Sequence, residues 1–139
     1  MEDKIMRCAV EGAIMNYTIE DKDLDQMDKL IDYYNGIRRE EGFGSVWSVW
    51  TTDEWQDMDD VSGIPEGTVI RYLSIWGDRG KESYSTVEGK TWLDVWKACD
   101  RAIEKSGDTH HIFIEALSSL TIEREDGTVE KFLELTTGS

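Results

Sequence analysis

The amino-acid sequence predicts an α+β fold, with a mainly antiparallel sheet of about five to seven strands and two principal helices on one face. Three observations predict it. Two long segments carry apolar residues at the helical period of ~3.6, strand-like segments outnumber them, and many of those strands follow one another through short turns. Consecutive short-turn strands make hairpins, hence antiparallel neighbours.

Each element follows from its residues. In 2–19, Met6, Val10 and Ile14 recur every four residues whereas Met15, Tyr17 and Ile19 alternate; 13–19 is assigned to a strand and 2–12 is left open. From Asp21 to about Arg39, Leu24, Met27, Leu30, Ile31, Tyr34 and Ile37 recur at three- and four-residue steps, which predicts an amphipathic helix. Gly42 and Gly44 end it. Residues 43–50 (FGSVWSVW) have strand composition. Thr51 and Glu54 have capping-box spacing, so one or two helical turns are expected before the breaker SGIPEG. A strong strand is predicted at 68–76 and a weaker one at 81–87. Thr91 and Asp94 then open a second helix whose apolar face is Trp92, Val95, Trp96, Cys99, Ala102 and Ile103, with Gly107 placed to end it. Strands are expected at 110–117, 120–124 and 128–135, the last two joined by an Asp126-Gly127 turn.

The 139 residues fit one compact domain, 1–139, since domains cluster near ~100–150 residues and neither a linker nor an internal repeat divides the chain. A hydrophobic share of 39% in periodic segments separates it from disordered chains. Thirty Asp and Glu against fifteen Lys and Arg give a formal charge of −15. That charge repels free nucleic acid and anionic membranes, and it attracts a cationic protein surface. Cys8 and Cys99 lack zinc or disulfide spacing and are expected as reduced thiols. No apolar run reads as a signal peptide or as a membrane span of ~20 residues, so a soluble protein of the cytoplasm is expected. Homo-oligomer formation is left open.

The acids are not scattered evenly. Asp21, Asp25, Asp28 and Asp32 fall within about 40° of one direction on a helix, away from its apolar stripe. They place one carboxylate per ~4–5 Å of axis, comparable with one phosphate per ~3.4 Å along a DNA strand. A second cluster, Asp53, Glu54, Asp57, Asp59 and Asp60, contains no basic residue and surrounds Trp55. Acidic helix faces are commonly just solvated, and acids near a helix start suit its dipole. Asp28 and Asp32 lie beyond the first turn, where that benefit fades, and like charges four residues apart destabilise a helix. These two clusters are therefore candidates for partner binding, with Trp55 as an anchor.

Other constellations carry less. Trp92 and Trp96 read as core, while Trp47 and Trp50 are three apart in a strand and face opposite sides. His110 and His111 with Asp108 and Glu115 invite a metal or acid/base assignment, yet adjacent strand residues diverge and one His with one Glu makes no structural zinc site. No metal or cofactor is expected. Arg38 and Arg71 are candidates for an anionic ligand, because guanidinium suits phosphate; arginines in so acidic a chain also pair readily with its own carboxylates. Nucleotide, hydrolase, metalloprotease and calcium-loop motifs are absent from the sequence.

In size, acidity and want of motif the chain resembles the small acidic proteins that phages and mobile elements encode against host nucleic-acid enzymes, including anti-restriction and anti-CRISPR proteins. The resemblance implies a non-enzymatic inhibitor acting in the host cytoplasm. Its carboxylates would occupy a cationic groove that otherwise holds nucleic acid. The alternative is a small-ligand binder, holding a nucleotide-like molecule between Trp and Arg side chains, and it requires a concave pocket with Arg38 or Arg71 beside an aromatic residue. An enzyme using His111 and Glu115 ranks below both.

Overall fold

The computed structural model describes residues 4–9, 24–48, 57–74 and 81–138. Its elements run β1 (Lys4–Ala9), α1 (Leu24–Glu41), β2 (Val46–Trp47), β3 (Val69–Ser74), β4 (Lys81–Thr86), α2 (Trp92–Ser106), β5 (Phe113–Glu123) and β6 (Val129–Gly138). The fold is α+β, with two helices and one mixed sheet. Five strands lie in the order β1-β5-β6-β3-β4, and the two-residue β2 pairs with β5.

Both helices form where the apolar period places them. Thr91 caps α2: its hydroxyl accepts from the Asp94 N–H at 3.3 Å, and its own N–H donates to the Asp94 carboxylate at 3.1 Å. Gly107, at φ 76°, ends the helix in the left-handed conformation that glycine adopts without penalty. The Asp126-Gly127 turn also forms, with the Thr128 N–H donating to Asp126 at 2.9 Å, and it connects β5 to β6 as an antiparallel hairpin.

The sheet departs from the sequence prediction in three ways. A mainly antiparallel sheet is predicted, and β1–β5, β5–β6 and β3–β4 are antiparallel, but β3 pairs with β6 in parallel, Ile70 opposite Leu133 and Arg71 opposite Glu134, and β2 is parallel to β5. The reason is topological: the β3–β4 hairpin and α2 intervene before the β5–β6 hairpin, whose second strand then docks beside β3 in the same direction. The strands expected at 110–117 and 120–124 are one strand of 11 residues, β5, running through Ser118 and Ser119 with an irregularity between Ile114 and Ala116. Only Val46–Trp47 of the expected strand 43–50 is strand among the described residues. The strand expected at 13–19 and the short helix expected from 51 lie wholly or mostly outside the described residues.

One core joins both helices to the sheet. Tyr34 of α1, Trp92, Val95, Trp96, Ala98, Cys99, Ala102 and Ile103 of α2, and Ile70, Tyr72, Leu117, Leu133 and Leu135 of the strands form one apolar cluster. Trp47 sits at its centre, with ring centroids 6.0 Å from Trp92 and 5.9 Å from Trp96. Such aromatic packing contributes about 0.5–1.5 kcal/mol per pair beyond area burial. Small residues let α2 approach the sheet closely enough for the Ser83 hydroxyl to donate to the Ala102 carbonyl at 2.6 Å. Lys105 and Arg101 of α2 reach the Tyr84 and Thr86 carbonyls of β4 at 2.9 and 2.7 Å, occupying acceptors on what is otherwise an open sheet edge. Burial pushes the Cys99 thiol far up, so it remains an inert thiol. No helix among the described residues is long and apolar enough to cross a membrane.

Candidate functional site

Three polar regions stand out from this frame: an acidic face at the α1–α2 junction, a pair of cavities sharing Arg38, and a buried carboxylate at the start of β5.

The acidic face forms because residues 57–61 are held from two sides. The Met58 and Asp60 carbonyls accept the Leu93 and Trp92 N–H groups of the first turn of α2, both at 3.0 Å, satisfying donors that a helix start leaves open. On the other side Tyr33 of α1 accepts the Met58 N–H at 3.0 Å and donates to Asp57 at 3.3 Å. Asp57 also accepts the Asp59 N–H at 2.9 Å, so its turn is fixed locally. Burial, and then the nearby Asp57 and Asp59 charges, raise the Tyr33 hydroxyl above the usual tyrosine range, which keeps it protonated and able to donate.

The result fastens the turn that carries Asp57, Asp59 and Asp60 to α1, the helix that carries Asp28 and Asp32. All five are exposed, and none forms an ion pair among the described residues. Asp25 lies on α1 one turn before Asp28. Asp21, Asp53, Glu54 and Trp55 lie outside the described residues. Tyr33 was not legible as the link, because it stands beside the apolar stripe of α1 rather than in it.

The two arginine candidates separate sharply. Arg71 is 9% exposed and held by Glu134 at 3.1 Å and Glu82 at 2.9 Å, with Glu82 in turn hydrogen-bonded by the Tyr84 hydroxyl. The hydrogen bonds from Tyr84 and Arg71 hold the Glu82 carboxyl below its ordinary range. Arg71 is thus taken up within the sheet. Arg38 instead donates to two backbone carbonyls, Phe43 at 3.2 Å and Gly44 at 3.1 Å, and makes no ion pair among the described residues. It lines two cavities. One, of about 270 Å³, lies between α1 and the β2–β5 pair, walled by Tyr34, Asn35, Trp47 and Phe113. The other, of about 540 Å³, adds Asp100, Glu104 and Asp108 to Arg38. Trp47 is 1% exposed, and its indole N–H has no acceptor among the described residues. A buried donor left unpaired costs about 1–3 kcal/mol.

Asp108 explains the histidine pair. Its carboxylate accepts the N–H groups of His110 and His111 at 2.9 and 3.0 Å and the hydroxyls of Tyr72 and Ser74 at 3.1 Å, with His111 Nδ1 also 3.1 Å away. Burial alone pushes this carboxyl up; the two backbone N–H groups, Ser74 and Tyr72 outweigh burial and hold it well below the usual carboxylate range. The cage ties the turn after α2 to β3. His111 is oriented on Asp108 and His110 is exposed; both precede β5, which starts at Phe113, so the strand alternation expected of them does not apply. No group of three or more His, Cys, Asp or Glu among the described residues is placed to hold a metal ion. Comparison with family models, curated proteins and solved structures finds no match to this chain.

Proposed function

We propose that the chain is a small acidic binding protein without enzymatic activity, whose partner is a basic protein surface of the kind that ordinarily holds nucleic acid. A host defence nuclease inhibited by a phage or mobile-element product, as in anti-restriction or anti-CRISPR inhibition, fits that description. The supporting observation is that Asp28, Asp32, Asp57, Asp59 and Asp60 are all exposed and form no ion pair among the described residues, while the Tyr33–Asp57 hydrogen bond fastens the 57–60 turn to the helix carrying the first two. Held in place before encounter, such charges raise the association rate and set the register of docking more than they raise affinity. In the sequence Asp21, Asp25, Asp53 and Glu54 add to the negative charge of these two segments, and Trp55 is the proposed apolar anchor. Affinity capture from host lysate at low and high salt, with bound protein and bound nucleic acid identified separately, tests this. A basic nucleic-acid-binding protein recovered at low salt and released at high salt is expected. Recovery of nucleic acid alone, or sub-micromolar binding to bare DNA, would contradict it.

A second reading, the sequestering of a small nucleotide-like ligand, is favoured by one observation: Arg38 stands beside Tyr34, Trp47 and Phe113 at a cavity. Arg71, engaged by Glu82 and Glu134, is not the arginine that such a site would use. Binding there would survive neutralisation of the acidic face.

A further inference from the structure

We infer that the cavity of about 270 Å³ between α1 and the β2–β5 pair takes a small planar aromatic acid, its carboxylate on Arg38 and its ring among Tyr34, Trp47 and Phe113. This ligand class rests on the small-ligand proposal above and narrows it.

Charge is the first reason. In a chain of net charge −15, the eight residues lining this cavity include one arginine and no carboxylate. The neighbouring larger cavity shares Arg38 but sets three carboxylates against it, so the guanidinium field is positive on one side only. Hydrogen bonding is the second. The bonds from Nε to Phe43 and from Nη2 to Gly44 fix the guanidinium plane without neutralising it, and they leave Nη1 unclaimed among the described residues. Arginine so held suits a carboxylate, whose two oxygens match its fork. An occupant rich in acceptors is what this guanidinium can satisfy.

Shape and size complete the argument. Phe113, partly exposed, supplies aromatic surface over a buried floor that includes Tyr34 and Trp47, with Ile31 and Val46 apolar beside them. The volume lies just under the ~300–1,000 Å³ typical of small-molecule sites, which admits one or two fused rings and leaves little room for a sugar and phosphate besides.

Titration of the full chain with benzoate, indole carboxylate, benzamide and adenosine monophosphate tests the inference, followed by the Trp47 indole N–H resonance and by melting temperature. Saturable shifts with the two acids are expected, with benzamide at least about tenfold weaker. Binding should fall about tenfold or more in Arg38→Gln, and it should be lost in Ile31→Phe, which fills the cavity and leaves Arg38 in place. Should Arg38→Gln fail to fold, Ile31→Phe and the acid–amide comparison decide alone. Equal binding of benzoate and benzamide, or full binding in Ile31→Phe, overturns the assignment. Binding of adenosine monophosphate without either acid overturns it but keeps a small-ligand function; silence from every probe up to about ten millimolar sinks both.

Discussion

Asp57 and Asp108 are built alike and used differently. Each heads a turn in which its side chain accepts the N–H of a residue two positions on, at 2.9 Å in both cases. Asp108 is then buried and takes donors from β3 and His111 until its charge is wholly engaged within the fold. Asp57 stays exposed, takes one further donor from Tyr33, and stands beside Asp59 and Asp60, whose side chains accept nothing among the described residues. The difference teaches how to divide thirty acidic residues: a carboxylate encircled by donors is consumed by structure, and one left without them is available to a partner.

The comparison can be broken most decisively at Asp108. Asp108→Ala should cost about 3–5 kcal/mol in urea unfolding, because it removes the carboxylate that now accepts from two hydroxyls and two N–H groups. Because its folded pKa lies below the unfolded value of ~3.9, the stabilisation is complete above about pH 5 and is lost as the pH falls through the folded value. Asp108→Asn should therefore flatten the acid limb of stability against pH, and an unchanged limb would show that the cage is not what the low pH releases. Tyr33→Phe is the intermediate case: it removes one acceptor for the Met58 N–H and one donor to Asp57, and a loss of about 1 kcal/mol is expected by thermal or chemical denaturation. The smallest effect belongs to the face itself. Replacing Asp28, Asp32, Asp59 and Asp60 with Asn spares Asp57 and should leave stability within about 0.5 kcal/mol, or slightly raise it by relieving like-charge repulsion.

How far the sequence discloses this molecule follows from which forces are local. Both helices, the Thr91–Asp94 cap and the Asp126-Gly127 turn depend on residues a few positions apart, and all are legible. The parallel β3–β6 pairing is not, since alternation marks which face a residue occupies and says nothing about which strand lies beside it. For the same reason Arg38 and Arg71 look equivalent in the sequence; Glu134 is opposite Arg71 in the β3–β6 register, and Glu82 comes from the neighbouring β4 strand. Likewise α1 and the 57–60 turn appear as separate segments until Tyr33 joins them across 24 residues of chain. Ser118 and Ser119 read as a break in the sequence, but β1 and β6 pair with both and hold β5 continuous.

The central claim is that the unpaired carboxylates bind a partner rather than merely meet water. It is tested most directly by association kinetics of the captured basic partner with the wild-type chain and with the four-Asn variant, at low and at high salt. The account predicts a severalfold slower association for the variant at low salt, a flatter salt dependence, and little change in dissociation. Equal association rates at both salt concentrations would contradict it and leave the acidic face as solvated surface.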